Sequence, residues 1–277
     1  MSVIRNDTGE IRLIWRLLLI ILLYVAAAVL LRLIPISIYT VVLVKDGMAL
    51  GNALNKANAI IQGPVWFAAI GILSALIGLL IVWFLVRVIE KSSFIWKTVG
   101  LDWRRNSLLV IMLGTILALF ILVASILARY MLGSNDSSLN VLVNGLSIPI
   151  FFQNILLYLA MGFGEEIIFR GYIQTRLVER YSAIWGILIT AIVFVLLHQI
   201  SYSLSPILIL SGVMLWTTVG ILYHWSKSLY LVIIFHGLMN ALFNTLDFDF
   251  GDIGGLIVHA FVLSLVIVFA LIRSIAS

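Results

Sequence analysis

Three short groups of side chains in this sequence have the types and spacing to activate water and stabilise an oxyanion. Glu165 and Glu166 are followed by Arg170, Phe194 is followed by His198, and His236 is followed by Asn240. On an α-helix Glu166 and Arg170 are i,i+4 neighbours, in the orientation that favours an ion pair. Glu165 is turned by about 100° from Glu166 and projects elsewhere. His236 and Asn240 share one helix face, as do Phe194 and His198. A carboxylate held away from bulk water binds its proton more tightly and serves as a general base. A neutral histidine beside it orients the water or passes the proton. A second histidine with an asparagine amide offers donors to a developing oxyanion, a contribution on the order of 3 kcal/mol per donor. The combination reads as peptide-bond hydrolysis without a covalent intermediate. Gly162 and Gly164 leave room for a close helix neighbour or a substrate backbone. The plainer reading of Glu165, His198, His236 and Asn240 is polar glue between helices, and that of Glu166 with Arg170 is a structural pair.

The elements that must position these groups are membrane helices. Of 277 residues, 63% are hydrophobic and 10% charged, with a mean hydropathy of +1.20. A soluble domain is roughly half apolar and about a quarter charged, so the bilayer is the solvent that suits this chain. The composition excludes disorder and fibrous repeats, and the absence of cysteine excludes a disulfide framework, a thiolate metal site and a cysteine nucleophile. Apolar stretches near 17–33, 65–86, 108–128, 207–222 and 255–271 are of the length needed to cross about 30 Å of hydrocarbon. Stretches 149–177, 183–200 and 229–243 do so with polar residues inside them. Arg5, Arg12 and Arg16 precede the first stretch, which runs on past Ala26-Ala27-Ala28 and so reads as an uncleaved span rather than a signal peptide.

With eight spans, only Arg32, Lys45, Lys56 and Arg129 of the 17 basic residues fall on one side of the membrane. The positive-inside rule then places both termini in the cytoplasm, and the net charge of +5 is a topology signal rather than a sign of nucleic-acid binding. The expected fold is all-α: a polytopic membrane helix bundle of about eight transmembrane helices, a single membrane domain over 1–277 with the motif-bearing core at about 146–246. The spans carrying Glu165 and His198 form a hairpin turning near 180–183, with both residues about 22 Å from the turn. His236 lies about 10 Å into its own span. The depths agree if the hairpin protrudes about 12 Å into the cytoplasm, on a polar segment holding Gln174, Arg176, Glu179 and Arg180.

The three motifs, in this order on successive membrane helices, resemble the CAAX-protease and bacteriocin-processing (CPBP, or Abi) family, which includes the Ras-converting CAAX endopeptidase. The stretch from Lys97 to Leu101 also looks like family members. The resemblance implies that Glu165 is the catalytic glutamate and His198 its partner in activating water. It implies that His236 and Asn240 face the oxyanion and that Glu166 and Arg170 are supporting. It leaves the cofactor open between zinc and none. Glu165, His198 and His236 are the candidate ligands, although the His-Glu-x-x-His helix of zincins is absent. The implied partners are a peptide or protein substrate, lipidated in the CAAX case, and membrane lipids, with no nucleic acid. The implied location is the plasma membrane of a prokaryote, as a multi-pass protein, and the implied substrates are a CAAX-type C-terminus or a leader or signal peptide.

Competing readings are a non-enzymatic bacteriocin-immunity or scaffolding protein and a small-solute transporter, the latter lacking an inverted repeat with paired broken helices. A rhomboid nucleophile does not fit, since Ser147 is followed by Ile148, and Asp249-Phe250-Gly251-Asp252 lacks the first glycine of a presenilin-type motif. His224 reads as interfacial and His259 as a hydrogen-bonded helix contact. Asp247, Asp249 and Asp252 read as a solvated loop, and Tyr202 as a cover for the outer side of the cavity.

Overall fold

A computed structural model describes residues 4, 11–93, 96–133, 147–198, 205–246, 248 and 253–276. Arg5, Tyr202, Asp247, Asp249 and Asp252 lie outside the described residues. The regular elements are all helical, and the chain is a polytopic helical membrane protein. Helices or helix runs at 13–45, 65–89, 107–131, 148–180, 206–226 and 253–270 are long and apolar enough to cross a membrane. The two remaining expected spans are helices of 16 and 17 residues, Ala183–His198 and Leu229–Thr245. At 1.5 Å per residue they reach only about 25 Å, and they are the two that carry His198 and His236.

The chain falls into two compact units, residues 1–94 with 156–168 and residues 95–155 with 169–277. In the first, α1 (Leu13–Lys45) is followed by α2 (Leu50–Ile61) and α3 (Pro64–Phe84), which ends in a π-helical turn, Leu85–Ile89. The first span was expected to end near residue 33, but the helix continues through Pro35 to Lys45. The reason is α2, an element the hydropathy pattern does not suggest. Its Ala53, Ala57 and Ile61 form a buried i,i+4 stripe, while Asn52, Asn55 and Lys56 face outward. Ile36, Tyr39 and Leu43 on the extension of α1 pack with Ala57 and Ile61, and with Trp66 and Ile70 of α3. The opposite ends of α1 and α3 are joined by an ion pair, Arg16 Nη1 to Glu90 Oε1 at 2.7 Å.

The second unit contains α4 (Ser107–Met131), all but the first two residues of the π-helical segment Ile167–Gln174 that follows α5 (Ile148–Glu166), the short α6 (Thr175–Arg180) and α7 (Ala183–His198). It continues with α8 (Pro206–Ser226), α9 (Leu229–Thr245) and α10 (Ile253–Ala276). The turn from α6 to α7 is the expected hairpin. Within this unit α4 packs on α9 and α10, and α8 packs on α7, α9 and α10. Helix α8 starts with Ser205, whose Oγ accepts from the Leu208 N–H at 3.2 Å, and with Pro206 in its first turn. The stretch from Lys97 to Leu101 has a definite task. A 3-10 turn, Trp96–Val99, leads into Gly100 at φ +79°, and the Gly100 carbonyl accepts from the Leu229 N–H at 2.8 Å. Only a residue without Cβ takes this left-handed conformation cheaply, and it ties the loop to the first residue of α9. Tyr230 adds a hydrogen bond to the Leu101 carbonyl at 2.8 Å.

Candidate functional site

Glu165 and Glu166 end α5, in the first unit, and backbone proximity sets their position. A Cβ on Gly164 would stand 2.7 Å from the Ser74 carbonyl oxygen, and one on Gly78 would stand 2.6 Å from the Gly164 carbonyl oxygen. Helices α3 and α5 therefore touch main chain to main chain one residue before Glu165, which is the close neighbour the glycines led us to expect. Glu165 is half-buried and accepts a hydrogen bond from Tyr24 Oη of α1 at 3.3 Å. Glu166 is completely buried. Tyr24 escaped the sequence reading. Its place midway along the first span, away from either boundary, was the available signal.

Beyond Glu166 the backbone changes pitch. Residues 167–174 are π-helical, with i→i+5 rather than i→i+4 hydrogen bonding. The side chain of Thr175 follows the same five-residue step, donating to the Arg170 carbonyl at 2.9 Å. The i,i+4 geometry assumed for Glu166 and Arg170 belongs to an α-helix, whereas the residues between them are wound differently. Arg170 is wholly buried in the second unit. Its Nη2 donates to the Trp216 carbonyl at 3.5 Å, and its guanidinium carbon lies 4.9 Å from the ring centroids of both Phe194 and Trp216. Cation–π attraction is strongest in such desolvated surroundings.

The same two rings gather the histidines. Phe194 of α7 lies 4.6 Å from the ring of His198 and 6.0 Å from that of His236, measured between centroids. Trp216 of α8 lies 4.5 Å from Phe194 and 4.5 Å from His236. His198 Nδ1 is 2.8 Å from the Phe194 carbonyl. A carbonyl only accepts, so Nδ1 carries the proton and, in the neutral ring, Nε2 is left as the acceptor. His236 is buried at 2% exposure, and Asn240, one turn further along α9, is half-buried. Its carbonyl accepts from Asn244 Nδ2 at 2.9 Å. The two histidines thus converge on one aromatic pair, as the motif spacing suggested, but half of that pair was unforeseen. Trp216 belongs to a span with no ionisable motif, and nothing in its spacing marks it.

Gln174 corrects a detail of the expected hairpin. It was assigned to the protruding polar segment, but it is buried and its Nε2 donates to the Gly220 carbonyl at 2.8 Å. Arg176 and Glu179 do form a surface pair, at 3.0 Å. His259 is the hydrogen-bonded helix contact expected of it: Nδ1 meets Ser211 Oγ at 2.6 Å, with both residues buried between α8 and α10. Among the described residues no three His, Cys, Asp or Glu side chains are gathered as a metal centre requires.

No curated protein matches the chain. Residues 147–242 match the family described as Rce1-like, Type II CAAX prenyl endopeptidase Rce1-like. The matched segment runs from the start of α5 into α9 and contains Glu165, Glu166, Arg170, His198, His236 and Asn240. By its motif-bearing segment, this chain is similar to the CAAX prenyl endopeptidases of that family.

Proposed function

We propose that this protein is an intramembrane endopeptidase that hydrolyses a peptide bond with water activated by Glu165. In this reading Glu165 removes a proton from the water. His198 assists through Nε2, the nitrogen opposite the one bonded to the Phe194 carbonyl. His236 and the Asn240 amide stabilise the tetrahedral oxyanion, and the proton then passes to the leaving amine. Arg170 supports the site by holding Phe194 and Trp216 against the two histidines, and Glu166 is its structural counterpart on α5. The substrate is a CAAX-type C-terminus, or a leader or signal peptide, presented near the cytoplasmic leaflet.

The observation that carries this reading is the meeting of both histidines on the Phe194–Trp216 pair, within the segment that matches an endopeptidase family. The test is cleavage of a fluorogenic peptide by the purified protein, with Glu165→Ala in parallel. A general base contributes about 10²- to 10⁴-fold, so the variant should lose activity by that factor. Full activity in Glu165→Ala would overturn the assignment. Running the assay with and without a chelator assigns the catalytic type.

The reading also requires that the basic side be cytoplasmic. The Arg16–Glu90 ion pair supports the alternation of spans behind it, since it joins the start of α1 to the end of the α3 run. Because the sequence has no cysteine, single-cysteine variants report topology without background. In right-side-out vesicles Lys56→Cys, on the exposed face of α2, should react with a membrane-impermeant maleimide. Lys97→Cys should react only after permeabilisation.

A further inference from the structure

A cavity of about 160 Å³ opens within the second unit, between the 3-10 turn at Trp96–Val99, the end of the π-helical segment with α6, and the junction of α8 and α9. None of the residues assigned above to the hydrolytic chemistry lines it. Its walls include Lys97, Thr98, Gln174, Thr175, Tyr223 and Lys227. The volume accommodates a tetrahedral group of five heavy atoms, given roughly 30 Å³ for each molecule of liquid water.

The lining is that of an anion site. Two ammonium groups face one carboxylate, Glu179, and that carboxylate is already engaged by Arg176 at 3.0 Å. Lys227 is held in place by its backbone: it caps α8 in the left-handed conformation, at φ +50°, with its N–H on the Tyr223 carbonyl at 2.8 Å. Its Nζ donates to His224 Nδ1 at 3.2 Å, which takes that ring in its neutral form and leaves two ammonium protons for a ligand. Burial lowers the pKa of Lys227, as expected of a cation missing part of its hydration, and an anion would restore the balance. The hydroxyls of Thr98 and Tyr223 add polarity to the lining. Gln174 Oε1, buried and without a hydrogen-bond partner among the described residues, adds one acceptor suited to a hydroxyl.

The location points to the source of the anion. The cavity lies where α8 ends and α9 begins, the level at which a span meets the headgroups. Trp96, Trp103, Tyr181 and Trp185 are all exposed on the neighbouring elements, Trp103 at 63%. Aromatic rings of this kind mark the membrane–water interface, and basic pockets between helices at that level suit phosphorylated headgroups.

We infer that this cavity binds a phosphate group, supplied by an anionic phospholipid, with Lys97 and Lys227 on the phosphate oxygens and Gln174 Oε1 on a headgroup hydroxyl. The test is native mass spectrometry of the purified, delipidated protein titrated with short-chain phosphatidylglycerol, phosphatidylcholine or inorganic phosphate. Phosphatidylglycerol should bind in preference to phosphatidylcholine, and its affinity should fall at least about tenfold in Lys97→Ala and in Lys227→Gly. The glycine variant keeps the left-handed cap while removing the ammonium, and the thermal unfolding of both lipid-free variants checks that they fold. Lys56→Ala, remote in sequence and on the other unit, should bind normally. Lysine-dependent binding of inorganic phosphate without a preference for phosphatidylglycerol would keep the phosphate site but overturn the lipid as its source. Binding indifferent to both lysines would overturn the site. So would displacement by a peptide's free C-terminal carboxylate, if neither phosphate probe binds. Peptide cleavage does not enter the measurement, so the outcome is independent of the protease reading.

Discussion

The surroundings of Glu165 and those of the two histidines are built on opposite principles. Around Glu165 the contacts are small and made by main chain: Gly78 and Gly164 let α3 and α5 touch, and one tyrosine hydroxyl reaches the carboxylate. Around His198 and His236 the contacts are large and made by side chains, with Phe194 against both imidazoles, Trp216 edge-on to His236, and a buried guanidinium over the two rings. Lipid offers helices little hydrophobic reason to associate, so packing and polar contacts must do it. Glycine contact gives stiffness without specificity for a neighbouring side chain. Ring packing fixes the orientation of two imidazoles, which is what a pair of donors and acceptors needs. The difference teaches that the carboxylate is placed by where its helix runs, and the histidines by what they lie against.

Substitutions can break each half separately. Phe194→Ala removes the ring shared by His198, His236, Trp216 and Arg170. In water such a truncation costs about 3–5 kcal/mol, and the lower end applies here because lipid is as apolar as the core. The expected result is a large fall in thermal stability together with loss of cleavage, and Phe194→Tyr should recover most of the stability. Next comes Gly164→Ala. Its added carbon would meet the Ser74 carbonyl at 2.7 Å, and overpacking of this kind costs about 1–3 kcal/mol. If the main-chain contact places Glu165, the maximal cleavage rate should fall while the peptide's KM changes little. An unchanged rate would show that the contact is only structural.

The smallest effect belongs to a pair outside both regions. Arg104 hydrogen-bonds Asp102 at 2.6 and 2.9 Å and holds its carboxyl below the usual range. The pair is solvent-screened, so Asp102→Asn should alter stability by no more than about 1 kcal/mol. A lowered folded-state pKa stabilises above the unfolded value, about 3.9, and the contribution disappears as pH falls through the folded value. Unfolding curves of the parent and Asp102→Asn should therefore differ slightly near neutrality and coincide in strong acid. A difference that grew in acid would contradict the assignment.

Much of the helical outline was legible in hydropathy, because a span must be apolar over its whole length and little else in a sequence is. The exceptions have physical causes. Helix α2 is half polar, and its Ala53-Ala57-Ile61 stripe acquires meaning only once the extension of α1 is there to cover it. The first span reads as ending near residue 33, where its apolar stretch stops, yet packing against α2 and α3 carries α1 through Pro35 to Lys45. The π-helical pitch of residues 167–174 leaves no mark in a pattern of apolar residues, so Gln174 was assigned to the surface although it reaches Gly220.

The candidate site divides along the same line. Sequence alone singled out Glu165, Glu166, Arg170, His198, His236 and Asn240, because ionisable and amide groups at membrane depth are costly and rarely idle. It also singled out Gly164, because a residue without a side chain in an apolar span suggests a close neighbour. Tertiary structure decided what those groups lie against: Tyr24 on Glu165, Trp216 beneath His236 and Arg170, and a carbonyl on His198 Nδ1 that leaves Nε2 to accept. Tyrosine and tryptophan are ordinary constituents of membrane helices, and their chemistry becomes specific only through what they touch. Polar residues within a span declare themselves in one dimension, whereas aromatic partners are chosen by three-dimensional packing.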